Sequence, residues 1–349
     1  MFGMNMEVVE MSDDEVSLEA GAGGLEMLKL LKESVFPSID LGEISPKIGV
    51  REMDDGAVID LEGSEKYLVF TTDSHLVKPR FFSGGDLGKL AVSGTINDLA
   101  VMGAEPAALS SAMVLEKGFP RDDLERISES MGELAESAGV PIVTGDTKVV
   151  GEGDVDGVMV NTSGVGICEE LTPASGLNPG DKIIVSGNVG NHGMSIVADR
   201  EGFDFDIESD VAPIHRLVGE LKGVGGITAM KDPTRGGLAA SLNEMASASG
   251  VDLEVEKGDI PIDSKVEGAG EMLGIDPLKI ANEGKVVLGV ESSCAQEALD
   301  ALRDEERGKN SRIIGKCTED GEGRVILNTE IGSSRILKTP RRKPIPRIC

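Results

Sequence analysis

The hydrophobic positions of the chain form two kinds of run, and the same alternation of the two is found in both halves of the sequence. Short apolar runs of strand length, such as KYLVFTTD (66–73) and VPIVTGDTKVV (140–150), alternate with longer runs in which apolar residues recur every three or four positions. The first pattern is typical of buried strands and the second of amphipathic helices. The clearest predicted helix is PRDDLERISESMGELAESAG (120–139), because a proline stands at its start and a glycine at its end.

A segment rich in Pro, Gly, Ser and Asn, LTPASGLNPGD (171–181), interrupts this alternation. Beyond it the pattern restarts with the predicted strand KIIVSG (182–187). A chain of 349 residues is also too long for one core of ordinary size. We therefore predict two α/β or α+β domains in tandem, residues 1–170 and 171–334, followed by a flexible basic tail over 335–349.

The charge of the chain changes this picture by excluding classes of function. The formal net charge is -28 and aromatic residues make up 3% of the chain, so a nucleic-acid partner would be repelled and would find few stacking surfaces. The N-terminus lacks the basic and apolar regions of a signal peptide, and no apolar run is long enough to span a bilayer. We predict a cytoplasmic protein that binds neither nucleic acid nor membrane.

The four cysteines are far apart, and none belongs to a CxxC pair. This spacing predicts neither a disulfide framework nor a zinc site. Cys168, Cys294 and Cys317 fall in or near apolar segments and are expected to be small core residues. Cys349 is different, because it ends a segment that carries six Lys or Arg and no Asp or Glu from Arg335 onward. We expect its thiol to act outside the core.

Three aspartates stand at the ends of apolar segments: Asp73 in TTDS, Asp98 in TINDLA and Asp146 in VTGDTK. Strands that deliver carboxylates to one rim would suit Mg²⁺, which takes oxygen ligands and nucleotide phosphates. Any one of the three could equally be a turn or cap residue in a chain with 62 acidic residues. Only the set of three favours a metal site.

Two glycine-rich stretches, EAGAGGLEMLKLL (19–31) and DPTRGGLAASLNEMA (232–246), precede predicted helices and could hold phosphate at the helix N-termini. The alternative is that Asp232 and Thr234 are simple helix caps. Lys148 and Glu283 lie at the edges of apolar strands, where a lysine could stabilise an anion and a buried glutamate could act as a base. Each could also be an ordinary surface residue.

Five segments follow one another along the chain: TTDSHLVKPRFFSGGDLGKLAVSGTINDLAVMGAEP, VPIVTGDTKVV, DPTRGGLAASLNEMA, LGIDPLKIANEGK and the final PRIC. Taken together and in this order, they closely resemble the HypE family of hydrogenase maturation proteins. That family belongs to the superfamily of aminoimidazole ribonucleotide synthetase and selenophosphate synthetase. The resemblance covers about residues 16 to 349, and PRIC is its most specific part.

This resemblance implies a two-domain fold like that of aminoimidazole ribonucleotide synthetase and an ATP-dependent carbamoyl dehydratase. A HypF-type carbamoyltransferase would load a carbamoyl group onto Cys349. The chain would then dehydrate that group to a thiocyanate, the source of the cyanide ligand of nickel–iron hydrogenases. The implied cofactors are ATP and Mg²⁺, and the further partner is a HypC–HypD-type iron–cyanide scaffold complex.

The resemblance also implies roles for single residues. Cys349 would carry the substrate, Glu283 would remove a proton and Lys148 would stabilise the charged intermediate. Magnesium would be held by Asp73, Asp98 and Asp146. The same three aspartates would bind ATP together with Lys89, Asn97, Gly23, Gly24, Asp232, Thr234, Arg235, Gly236 and Gly237. Two positions depart from the family pattern: Ala20 stands in place of a histidine, and Asn191 in place of the aspartate of GDHG.

The family fold implies a homodimer formed mainly through the N-terminal half, and we expect the small residues Ala91, Ser93 and Gly94 to allow its close packing. Two alternatives remain open. One is a phosphotransferase or ligase of the same superfamily that acts on a free small molecule. The other is a non-catalytic carrier that presents a thiol to its partners.

Overall fold

The computed structural model describes residues 16, 20–21, 24–39, 48–318 and 321–340. Two predicted site residues, Gly23 and Cys349, lie outside these ranges. The strands are β1 (Ala57–Asp60), β2 (Tyr67–His75), β3 (Phe81–Phe82), β4 (Gly85–Asp86), β5 (Glu105–Glu116), β6 (Ile142–Val150), β7 (Val158–Cys168), β8 (Lys182–Val185), β9 (Ile227–Lys231), β10 (Leu253–Glu256), β11 (Val287–Val290), β12 (Arg312–Cys317), β13 (Val325–Asn328) and β14 (Ser334–Ile336).

Helices lie between these strands and cover the sheets. They are α1 (Gly24–Leu30), α2 (Leu87–Val101), α3 (Arg121–Ala138), α4 (Asn191–Glu201), α5 (His215–Gly219), α6 (Gly237–Ser249), α7 (Ser264–Leu273) and α8 (Ala295–Asp304). The clearest predicted helix is confirmed as α3, with Pro120 as its N-cap and Gly139 closing it at a φ of 76°. Within the described residues, no helix has the length and apolar character needed to cross a membrane.

The first sheet has the strand order β1-β2-β7-β5-β6. All neighbours are antiparallel except β5 and β6, which run parallel and are joined through α3. Helix α2 packs closely on one face, where the hydroxyl of Thr162 donates to the carbonyl of Ala91 at 2.9 Å. A β-carbon on Gly94 would lie 2.9 Å from Cε1 of His75. The small residues of α2 therefore pack inside the subunit, and the expectation that they form a subunit contact is wrong.

The second sheet has the order β14-β13-β10-β12-β8-β11-β9. It is covered on both faces, because alternate residues of β8 enter different cores. Ile183 packs in the core that contains α6, whereas Ile184 packs in the core that contains α8. Burial of both faces explains why KIIV is a continuous apolar run rather than an alternating one.

Helix α2 also joins the two halves of the molecule. Its residue Leu90 shares a buried cluster with Ile196 of α4, and Val101 shares another with Leu217 of α5. Nearly the whole helix is buried as a result. The site described below lies at the C-terminal end of α2, where segments of both sheets converge.

Five strands had no sequence prediction: β1, β3, β4, β9 and β14. All are five residues or shorter; β3 and β4 form a separate two-stranded sheet, and β1, β9 and β14 are edge strands of the two larger sheets. The last one also changes the expected start of the tail. Arg335 and Ile336 belong to β14 and Leu337 is buried, so the body of the fold extends beyond residue 335.

Candidate active site

Three carboxylates from distant parts of the chain meet at the centre of the site. Asp55 lies two residues before β1, Asp98 lies in the last turn of α2 and Asp232 directly follows β9. These residues, here called the acidic cluster, each offer an oxygen atom within 4.8 Å of the other two. The Oδ2 atoms of Asp55 and Asp232 are buried without a hydrogen-bond partner among the described residues. The cluster therefore fits a hard cation such as Mg²⁺.

The pKa values of the acidic cluster also support a cation site. Burial, followed by the charge of Asp232, raises the pKa of Asp98 well above its usual range. Burial and the charge of Asp55 raise the pKa of Asp232 in the same direction, although Lys231 opposes this. Thr71 stabilises the charged form of Asp98 with a hydrogen bond of 2.8 Å from Oγ1 to Oδ2. The cluster thus holds more negative charge than its protein neighbours neutralise.

Lys231 is the buried cation in direct contact with the cluster. Its Nζ lies 2.5 Å from Oδ1 of Asp55 and 3.5 Å from Oε2 of Glu244, and its side chain is 8% exposed. Burial alone would lower the pKa of Lys231, but the charges of Asp55 and Glu244 raise it above the usual value. The lysine therefore stays charged, and it fixes one oxygen of Asp55 while the other remains in the cluster.

Asp73 lies on β2 beside the acidic cluster. Its Oδ2 is 3.5 Å from Nε2 of His75, and its charge contributes to the raised pKa values of Asp98 and Asp232. Two of the three aspartates predicted as metal ligands, Asp73 and Asp98, are therefore brought together by β2 and α2.

Glu283 is 5% exposed and faces the same centre. Burial raises its pKa well above the usual range, and the charges of Asp232 and Asp73 add to this effect. Its main chain is fixed, because Asn97 donates from Nδ2 to the Glu283 carbonyl at 3.2 Å. A buried glutamate whose carboxylate has a raised proton affinity, held at a fixed position, is suited to accept a proton from a substrate.

A second group of buried charges supports Glu283 from behind. Oδ1 of Asp210 accepts from the amide of Glu283 at 3.3 Å and from the amide of His192 at 3.2 Å. Its Oδ2 lies 3.0 Å from Nζ of Lys285. Burial opposes the charged form, but Lys285 and then His192 hold the pKa of Asp210 below its usual value. Burial lowers the pKa of His192 to about 4.

The loop from Asp232 to Gly237 begins helix α6 and contains Thr234, Arg235 and Gly236. Gly236 and Gly237 have φ values of 80° and 63°, which only glycine adopts readily. A β-carbon on Gly237 would lie 2.4 Å from the carbonyl oxygen of Ile280. The tandem glycines thus let the segment that carries Glu283 approach the start of α6.

Asp146 and Lys148 lie elsewhere in the single subunit. Asp73, Thr162, Ser111 and Gly145 pair in one row across the sheet, so Asp146 points to the opposite face. Three strand spacings separate its strand from β2, about 14 Å. Both side chains are exposed on the edge strand β6.

Lys89 is also away from the cluster. It lies in the first turn of α2, nine residues and about 13 Å along the helix from Asp98. Gly24, of the predicted N-terminal glycine stretch, begins α1.

Comparison with known proteins identifies the family. Residues 53–168 match the AIR synthase related protein N-terminal domain, and residues 178–328 match the corresponding C-terminal domain. The chain is 42% identical to carbamoyl dehydratase HypE of Cupriavidus necator over 339 residues, which cover 96% of this chain and 95% of that protein. The chain belongs to the HypE family.

Solved structures of HypE proteins agree with this assignment. A HypE–HypF complex contains a chain that is 41% identical, with a TM-score of 0.82 over 91% of this chain and 100% of that one. A HypE in complex with ATP is 37% identical, with a TM-score of 0.79 over 95% of this chain and 100% of that one. The predicted two-domain fold of this family is therefore confirmed.

Sequence reasoning missed three charged residues of this HypE-family site: Asp55, Lys231 and Asp210. Asp55 belongs to the pair in MDDGAV directly before a strand, and that position is the one signal that could have found it. Lys231 precedes Asp232, but its partner Asp55 is 176 positions away. Asp210 lies in a polar segment without a helix or strand of its own.

Proposed function

We propose that the chain is an ATP-dependent carbamoyl dehydratase that provides the cyanide group for hydrogenase maturation. The observation that carries this proposal is the acidic cluster next to a buried glutamate of raised pKa, in a chain of the HypE family. Carbamoyl dehydration needs both parts. An amide oxygen is a poor leaving group until it is phosphorylated, and the nitrile forms only when a base also removes the nitrogen-bound proton.

The residues present fit Mg²⁺ at the acidic cluster. Asp55, Asp98 and Asp232 would hold the ion, with Asp73 beside them. When bound, the ion would neutralise charge on the ATP phosphates during phosphoryl transfer. Lys231 keeps Asp55 in place for this binding, and α6 begins at Gly237, so the positive end of its dipole lies next to Asp232.

Glu283 takes the proton in this proposal. The carbamoyl oxygen on the thiol of Cys349 attacks the γ-phosphate of ATP, which releases ADP. The nitrogen gives up one of its two protons to solvent as the O-phosphorylated imidate forms. Glu283 then accepts the remaining nitrogen proton, the carbon–oxygen bond breaks with its electrons on phosphate, and a carbon–nitrogen triple bond remains as thiocyanate. The raised pKa makes Glu283 a competent proton acceptor, and its burial keeps water from competing.

Lys148 and Asp146 would act in a homodimer. Both lie on the face of the first sheet that no helix covers within the described part of one subunit, together with Phe70, which is 41% exposed. The face also carries apolar side chains, among them Ile59, which is 43% exposed, and Val165, which pairs with Phe70. Ser163 donates to Thr72 at 2.9 Å within the same face. A second copy seated on this face would place its own Asp146 and Lys148 near the first subunit.

Light scattering tests this part of the proposal. The wild-type chain should be a dimer at micromolar concentration, and Phe70→Glu should produce a monomer. A wild-type monomer would rule out the shared site and leave Asp146 and Lys148 without a role. Partners beyond the second copy are a HypF-type carbamoyltransferase and a HypC–HypD-type scaffold.

Mass spectrometry tests the reaction itself. The protein is incubated with the carbamoylating partner, carbamoyl phosphate and ATP, and the peptide that contains Cys349 is weighed. We expect the addition of a carbamoyl group followed by the loss of one water. Glu283→Gln should stop at the carbamoyl stage, and Cys349→Ala should show neither change. Turnover of ATP on a free small molecule without any change at Cys349 would favour the phosphotransferase alternative.

A further inference from the structure

The last described residues of the chain are fixed between the second sheet and helix α6. Leu337 is 2% exposed and belongs to the same apolar core as Leu242 of α6. Its amide donates to the carbonyl of Val325 at 2.8 Å. On the other side, Nδ2 of Asn243 donates to the carbonyl of Leu337 at 2.9 Å. Residue 337 is therefore held by strand β13 and by α6 together.

From Leu337 the chain runs along α6 towards the candidate site. A β-carbon on Gly236 would lie 3.8 Å from Cδ of Pro340. Gly236 lies in the loop that begins with Asp232 of the acidic cluster, and Pro340 is half-buried against that loop. The chain thus leaves its last described position beside the loop that would bind the nucleotide.

We propose that Leu337–Pro340, the tail root, is a positioning element that starts the tail next to the active site. Cys349 follows Pro340 by nine residues, which span at most about 32 Å when fully extended. The inference rests on the proposed function, in which Cys349 carries the carbamoyl group. Asn243 is the positioning residue, since its Nδ2 holds the carbonyl of Leu337 and it does not belong to the acidic cluster.

The effect of the root follows from loop closure. The local concentration of a tethered group at a fixed point falls roughly as the -3/2 power of the tether length. If the root and strand β14 are released together, back to the end of β13 at Asn328, the free length rises from nine residues to 21. We therefore expect dehydration of the chain's own carbamoyl group to slow by about three- to four-fold when the root is lost.

The experiment compares two substrates. In the first assay, carbamoylated Cys349 of the intact chain is dehydrated in a single turnover after ATP is added. In the second, the same substitution is placed on a Cys349→Ala background, and a synthetic peptide of residues 339–349 with a carbamoylated thiol is supplied in solution. Asn243→Ala should slow the first reaction by about two- to four-fold and leave the second at the rate of its parent. Gln296→Ala, which removes an exposed side-chain bond on α8, is the matched control and should change neither.

A second variant does not depend on the fold of the root. About twelve Gly and Ser residues are inserted between Pro340 and Arg341, which should slow the first reaction by about three-fold through length alone. Equal rates for the wild type and both variants with the chain's own tail would overturn the proposal. So would an equal loss with the tail and with the peptide, because the root would then act on the site itself. Failure of the proposed function looks different: the wild type would dehydrate neither substrate.

Discussion

Two groups of buried charges flank Glu283, and they differ in their balance. In the acidic cluster, three carboxylates with Asp73 beside them meet one contacting buried cation, Lys231. Behind Glu283, one carboxylate, Asp210, meets one cation, Lys285, at 3.0 Å. Among the described residues, the first group has more carboxylates than contacting buried cations, so a bound proton or an external cation would balance it. The second is already neutral and serves to hold the main chain of Glu283 and His192.

This difference separates the functional group from the structural one. Buried carboxylates that raise each other's pKa are costly to the fold, and they indicate a ligand site when they line a common centre. A balanced ion pair that also accepts main-chain hydrogen bonds indicates a structural role. The predictions below test the contrast from the largest expected effect to the smallest.

The largest effect should come from breaking the balanced pair. Lys285→Met leaves Asp210 buried without its cation, and we expect the free energy of unfolding to fall by about 3–5 kcal/mol. The double variant Lys285→Met with Asp210→Asn should recover much of this loss. Chemical denaturation measures both, with and without Mg²⁺. A loss that Mg²⁺ repairs would mean that this group also binds a cation, and the contrast would fail.

His192 gives the balanced group a pH dependence. Its pKa is about 4 in the folded chain and near 6.5 when unfolded. Between these values the unfolded chain binds more protons, so stability should fall as the pH is lowered from about 6.5 to 4. The contribution of this one group is about 3 kcal/mol. Unfolding free energies at several pH values should show a flatter profile for His192→Gln, and an unchanged slope would assign the effect to other groups.

Asp98→Asn should weaken ligand binding and leave stability unharmed, which is the opposite of the effect expected for Lys285→Met. It removes one of several mutually repelling carboxylates, so stability without metal should stay equal or rise by about 1 kcal/mol. Affinity for ATP in the presence of Mg²⁺ should fall about 100-fold, or about 2.7 kcal/mol. Calorimetric titration and thermal unfolding measure the two quantities, and the exposed Asp122→Asn on α3 is the control. Unchanged affinity would remove Asp98 from the site.

Asp146→Asn should have the smallest effect on stability. The side chain is exposed on an edge strand, so we expect a change within about 0.5 kcal/mol. If a second copy brings Asp146 to the site, the variant should still lose affinity for ATP with Mg²⁺. Normal affinity in a proven dimer would show that Asp146 is not a ligand.

The sequence supports a good part of this site because some signals are local. Asp73 and Asp98 stand where an apolar strand and an apolar helix meet, and Glu283 follows an apolar segment. Each element was predicted from its own periodicity, and the two-domain fold of the family is confirmed. Neighbouring residue types were enough for these assignments.

The remaining features depend on sheet order, which no local pattern contains. The acidic cluster joins Asp55 to Asp232 through a contact between the two halves, and the short strand before Asp232 has only five residues. The distance of Asp146 from Asp73 follows from the insertion of β7 and β5 between their strands. Periodicity predicts each strand but not its neighbours.

The division of the acidic cluster between the two halves also has a consequence for how the protein is made. The first sheet is complete once residue 168 has been synthesised, but Asp232, the last member of the acidic cluster, is added 64 residues later. At usual translation rates of roughly 5–20 residues per second, this interval lasts about 3–13 seconds. For most of it, Val101 of α2 waits for Leu217 to cover it. A nascent chain can therefore form its first sheet early, yet it acquires its cation site only after the strand before Asp232 in its second half has been made.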